Sequence, residues 1–174
     1  DLEILLDANC AYDFDTAREF LSALEVAGVN VALMEQPLGR NAMHDMARLQ
    51  ELTDVLICLD ESISTVADVE RMAAFPSLKS INVKIMKMGL TPGMLAIERA
   101  RECGMTCMIG GMVETRLSMT VSAALALHYP ETIRFVDLDT PLFMQPGPIV
   151  GGMEYNGATI TLPPDAHGHG CRLQ

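Results

Sequence analysis

The sequence has no tryptophan, and aromatic residues make up only 5% of its 174 positions. Positive charge is also scarce. Twelve Lys and Arg stand against 23 Asp and Glu, for a net charge of −11 and a pI near 4.6. That balance argues against nucleic acid or an anionic membrane as the main partner. No apolar run approaches about 18 residues, so no membrane span is expected. The first residues carry no basic n-region and no small-residue cleavage site, so no signal peptide is expected in them. The chain opens at Asp1 without a methionine, directly into Leu2-Glu3-Ile4-Leu5-Leu6, as a piece of a longer protein would. Cysteines stand at positions 10, 58, 103, 107 and 171, with no CxxC pair among them. Cys103 and Cys107 lack the second pair or His cluster that a zinc site needs. All five read as reduced, mostly buried thiols, in keeping with a cytoplasmic protein.

What is present is an ordinary globular composition, 49% apolar and 20% charged, with 13 Gly and 13 Met. It excludes a disordered tail, a collagen-like rod and a disulfide-dense mini-protein. The length allows one domain with a real core.

Short apolar strands alternate with amphipathic helices. The predicted strands are Leu2–Asp7, Asn30–Glu35, Val55–Asp60, Ser80–Ile85, Thr106–Gly110 and Ile133–Leu138. Each is apolar on both faces, as a buried parallel strand is. Predicted helices start near Asp15, Asn41, Ser64, Thr91-Pro92 and Leu117, with Gly28, Gly104 and Pro130 as stops. The strand-end residues Asp7, Glu35, Asp60, Lys84, Gly110 and Asp137 recur every 24–28 residues. That is the size of one unit of a (β/α)₈ barrel. A doubly wound sheet is the poorer fit, because no GxGxxG turn follows any strand.

Barrel chemistry sits at the C-terminal ends of strands. Asp7, Glu35 and Asp60 would converge there from three consecutive strands. One such residue reads as a turn residue; three in register repel one another unless a cation lies among them. An all-oxygen set with open positions suits Mg²⁺. Lys84, on the fourth strand, either acts as a base with its pKa lowered by burial and a nearby cation, or pairs with a carboxylate as support. Lys87 is expected to face solvent. Asp137 and Asp139 share one side by the strand's period of two and could hold a ligand's ammonium group, although a capped turn explains the same pattern. His167-Gly168-His169 lies in a Gly-rich tail expected to be flexible, and His44 and His128 lie in helical stretches. Glu114 and Arg116 either line the mouth or form a salt-linked loop, and Arg40 either contacts substrate or faces solvent.

Taken in order, Asp7-Ala8-Asn9, Glu35-Gln36-Pro37, Asp60-Glu61-Ser62 and Asn82-Val83-Lys84 resemble the enolase superfamily, in its muconate-lactonizing subgroup. The resemblance implies a partial TIM-type barrel of about six βα units, strands 3 to 8. It lacks the first strands and the N-terminal capping domain. Residues 1–150 would be the barrel part, and 151–174 a segment returning toward the capping domain. It implies Mg²⁺ held by Asp7, Glu35 and Asp60, and Lys84 as one of two acid/base groups. The second, a lysine on a strand before Asp7, is absent from this chain. Asp137 and Asp139, with Ile109-Gly110-Gly111-Met112-Val113-Glu114-Thr115-Arg116, resemble the dipeptide epimerases of that subgroup. The implied reaction is epimerisation of dipeptides of the L-Ala-D/L-Glu type, by 1,1-proton transfer through an enediolate. These 174 residues alone would then be inactive. Cycloisomerase, o-succinylbenzoate synthase and N-acylamino-acid racemase would also keep Asp7, Glu35, Asp60 and Lys84 and remain alternatives, as does a non-catalytic barrel piece or binding module. The implied partners are a small-molecule dipeptide and other copies of the full-length protein, with no nucleic acid and no membrane.

Overall fold

The computed structural model describes residues 3–174 apart from Pro146 and Ala166. Leu2, where the first strand was expected to begin, lies outside the described residues. The elements follow in the order β1 (Ile4–Asp7), α1 (Phe14–Val26), β2 (Val31–Glu35), α2 (Met43–Gln50), β3 (Leu56–Leu59) and α3 (Val66–Arg71). Next come β4 (Ser80–Val83), α4 (Ile85–Met88), α5 (Leu90–Glu102), β5 (Thr106–Ile109), α6 (Arg116–His128), β6 (Ile133–Val136) and α7 (Thr140–Phe143). Beyond α7 lie four short strands, β7 (Ile149–Gly151), β8 (Glu154–Asn156), β9 (Thr159–Thr161) and β10 (Cys171–Leu173).

β1 to β6 form one sheet in sequence order, and every neighbouring pair is parallel. This is the arrangement expected of consecutive barrel units. The alternation of side chains divides the core in two. Met34, Ile57, Leu59, Ile81 and Val83 face outward and pack with Ala17, Met46, Ala96 and Ile97 from the helices. Leu33, Cys58, Met108 and Phe135 face the other way and form a separate cluster inside the curled sheet. The site residues continue that inner face toward the strand ends. The edge strand β1 is more exposed than the central strands.

Local chemistry moved several boundaries. Asp13, not Asp15, caps α1, because its carboxylate accepts from Thr16 N at 2.8 Å. Thr65 and Asp68 form a capping box on α3, one residue beyond Ser64. α2 has no side-chain cap, so Asn41 does not serve as one. Strand β4 stops at Val83, since Ile85 already begins α4; Lys84 therefore sits at the bend rather than within the strand. Parts of the tail pair: β10 runs antiparallel to β7, and β8 to β9, while His167, Gly168 and His169 lie in the turn before β10. Cys58 and Cys107 are buried, while Cys10, Cys103 and Cys171 are only half-buried. Among the described residues, no helix is long and apolar enough to cross a membrane.

Ile81 is fully buried on the central strand β4. Truncating it should leave a cavity between the sheet and α5. Ile81→Ala is expected to cost about 2–5 kcal/mol, read as a lower urea midpoint at unchanged slope.

Candidate functional site

The inner side chains at the strand ends form one charged layer. Glu35 closes β2, and Asp60 follows β3; both are buried. Lys84, at the bend after β4, reaches both. Its Nζ lies 2.8 Å from Asp60 Oδ2 and 3.4 Å from Glu35 Oε1. Asn82 Nδ2 donates to the same Glu35 oxygen at 2.7 Å, while Asn82 Oδ1 is buried without a partner. Asp7 closes the edge strand β1, is exposed, and accepts from Asn9 N at 2.9 Å. It is near enough to act on the charge of both Glu35 and Asp137.

Lys87 does not face solvent. Its ammonium donates to Asp60 Oδ1, to the Asp60 carbonyl at 2.9 Å and to the Asn82 carbonyl at 3.3 Å. The turn of α4 folds it back beneath the strand ends, which a strand reading of the Ser80–Ile85 run could not reveal. Asp137 and Asp139 lie beyond β6, leading into α7, so strand periodicity does not govern them. Both are nevertheless exposed, while Leu138 between them is buried against Met119, Ala123 and Met153.

Gln36 is the residue whose part in this layer the sequence reading missed. It is fully buried and has a left-handed backbone, with φ of 36°. A side chain rarely adopts that conformation without compensation. Here the amide supplies it. Gln36 Oε1 accepts from Asp60 N at 2.9 Å and Ser62 N at 3.2 Å. Its Nε2 donates to Leu38 O at 3.0 Å and Ser62 Oγ at 2.9 Å. Ser62 Oγ in turn donates to the Arg40 carbonyl at 2.7 Å, while the Arg40 residue itself is exposed. The ends of β2 and β3 are thus tied by one side chain. Its place inside Glu35-Gln36-Pro37 was the available signal.

Gly110 follows β5 at a place where nothing larger fits. A Cβ there would lie 2.7 Å from Asn82 Nδ2 and 3.0 Å from Lys84 Cε. Glu114 and Arg116 turn out to brace loops. Glu114 is buried and accepts from Met112 N and the Ser118 hydroxyl. Arg116 donates to the carbonyls of Gly151 and Met153, fastening the tail to α6.

Burial pushes the Glu35 carboxyl up to about 7, against the pull of Lys84 and the Asn82 amide, with Asp60 and Asp7 adding to the rise. Burial alone would lower Lys84, but its contacts with Asp60 and Glu35 outweigh this and raise it. The lowered lysine expected from the sequence is therefore not the state of these residues by themselves. Partial desolvation, then the charge of Asp139, raises Asp137.

Among the described residues, no group of three or more His, Cys, Asp or Glu side chains is gathered closely enough to hold a metal as it stands. The lysine ammonium groups occupy the carboxylate oxygens instead. The donor set still suits a hard divalent ion. It is all oxygen, carries excess negative charge in a desolvated place, and leaves a buried amide oxygen unpartnered beside it.

The family described as enolase C-terminal domain-like matches residues 1–174. An aromatic dipeptide epimerase of Herpetosiphon aurantiacus is 38% identical over 170 residues, covering 98% of this chain and 47% of that protein. The substrate-liganded L-Ala-D/L-Glu epimerase of Bacillus subtilis superposes with a TM-score of 0.88 at 31% identity, over 93% of this chain and 45% of its own. A dipeptide epimerase of Cytophaga hutchinsonii, complexed with Mg and the dipeptide D-Ala-L-Val, gives 0.87 at 32% identity, over 97% and 45%. The chain thus spans about half the length of the relatives it matches.

Two outcomes are expected of this layer. A carboxyl whose folded pKa lies above its unfolded value contributes stability that is full below the unfolded pKa and is lost as pH rises through the folded one. For Glu35 that window runs from 4.5 to about 7. Thermal scans of metal-free protein should show Tm falling across it, and Glu35→Gln should flatten the fall. Gly110→Ala should push Asn82 and Lys84 aside at a cost of about 1–3 kcal/mol, measured by urea denaturation.

Proposed function

The chain belongs to the enolase C-terminal domain-like family, and from that premise we propose that the whole protein epimerises dipeptides. The observation that carries this reading is the strand-end layer, with carboxylates from three consecutive units and a half-buried lysine from the fourth. Asp7, Glu35 and Asp60 would hold Mg²⁺. The ion would supply neutralisation of the substrate carboxylate as charge builds there.

Lys84 is the proton-transfer group. It is the ammonium that meets both buried carboxylates, and a cation among them would weaken their hold on its proton. Asp137 and Asp139, both exposed at the mouth, would take the free ammonium of the dipeptide. The charges support a zwitterionic ligand. Asp7, Glu35, Asp60, Asp137 and Asp139 bring five carboxyl groups, and Lys84 and Lys87 only two ammonium groups. The magnesium and dipeptide of the Cytophaga hutchinsonii complex support the same ligand pair. The L-Ala-D/L-Glu dipeptide of the Bacillus subtilis relative is the reference substrate.

Epimerisation also needs a proton donor on the opposite face of the carbon. The third lysine of the chain, Lys79, precedes β4 and so lies at the far end of the sheet. The opposing lysine would come from chain outside residues 1–174, so these residues alone would be inactive. In this proposal residues 151–174 return toward a capping domain, and the whole protein works on free dipeptides in the cytoplasm as a homo-oligomer.

The test is exchange of the α-proton at the C-terminal residue of a dipeptide, followed by NMR in D₂O with the full-length protein. Exchange should require Mg²⁺, stop with chelator and return when the metal is restored. Lys84→Ala should slow it at least about 10²-fold. Asp139→Asn should impair dipeptide turnover through KM. Undiminished exchange in Lys84→Ala would sink the assignment, and no exchange with any dipeptide would favour a binding module.

A further inference from the structure

The chain has three lysines, and two of them, Lys84 and Lys87, grip the same aspartate. The two do so differently. Lys84 touches side-chain oxygens only, Asp60 Oδ2 and Glu35 Oε1. Lys87 takes the other Asp60 oxygen and two main-chain carbonyls, those of Asp60 and Asn82. An ammonium has three N–H donors, and Lys87 has three acceptors. Its hydrogen-bonding capacity is filled, and its side chain is only 14% exposed. Two of those acceptors belong to the backbone, so they persist whatever binds at the carboxylates. The Asp60 carbonyl also accepts from Ile63 N at 3.0 Å, which fixes the turn after β3 from within.

We propose that Lys87 is a positioning residue. It locks the backbone and one carboxylate oxygen of Asp60 to the end of β4, and so presents the other oxygen at a fixed place in the strand-end layer. The lysines then divide the work. Lys84 has contacts that an arriving cation can replace, and it is the group free to move a proton. Lys87 has two main-chain contacts that a cation at the carboxylates does not compete for, and it stays. Without Lys87, the Asp60 carboxylate could rotate about its side-chain bonds. The fixed oxygen would then be lost even though the aspartate remained.

This inference rests on the reading of Asp60 as a cation ligand given above. It predicts weaker metal binding apart from any turnover. In the full-length protein, Lys87→Met should raise the Mn²⁺ dissociation constant, followed by electron paramagnetic resonance, about 10-fold to 100-fold. Lys87→Arg restores the charge without the compact ammonium and should fall between the two. Unchanged Mn²⁺ affinity in folded Lys87→Met overturns the proposal. A second measurement needs no variant. Reductive methylation of wild-type protein, read by mass spectrometry, should label exposed Lys79 readily and spare Lys87 with or without Mg²⁺. Labelling of Lys87 at the rate of Lys79 overturns it equally, and decides the matter if the methionine variant does not fold. If wild-type protein exchanges no dipeptide α-proton but the affinity and labelling results hold, the epimerase reading falls and the role of Lys87 stands.

Discussion

Carboxylates delivered to one end of a parallel sheet repel, and the layer at the strand ends depends on how that repulsion is answered. Glu35 and Asp60 are both buried, where opposite charges attract strongly and unpaired ones are costly. The answer in this chain is a pair of ammonium groups from one short stretch, Lys84 and Lys87, that share Asp60. Much of the local architecture serves that arrangement. β4 ends early so that α4 can turn Lys87 back, and Gly110 leaves room for Asn82 and the Lys84 stem. Glu35 remains undercompensated, which is why burial still holds its carboxyl at about 7.

The parallel sheet was legible because an apolar strand and a helix recur at one steady period. Six repeats of one period outweigh any single doubtful boundary. The convergence of Glu35, Asp60 and Lys84 followed from that register. What escaped were features set by tertiary contact. Lys87 looked like a surface lysine, since nothing in Ile85-Met86-Lys87-Met88 announces a helical turn only four residues long. Gln36 looked like part of a motif, but its side chain ties the end of β2 to Asp60 and Ser62, 24 and 26 residues further along. The short strand pairs after α7 were obscured by the glycines around them, several of which take positive φ.

The matched relatives are about twice as long as this chain. Under the proposed function the chain would offer the carboxylates, one lysine and the paired aspartates. The face opposite Lys84 would be built by other parts of the protein. The division is reasonable for a barrel, where neighbouring units each contribute a single group and the site exists only in their sum.

The left-handed backbone of Gln36 has a consequence for how this sequence can drift. At most such positions glycine is the comfortable choice, and a change to glycine relieves strain. Here that same change would delete the amide on which the loops carrying Asp60 and Ser62 hang. Asparagine, which tolerates the backbone, is one methylene short of the reach. The residue is held between two demands that no other common side chain meets together. Mutational drift at position 36 is thereby closed by geometry, even though the glutamine itself bears no charge.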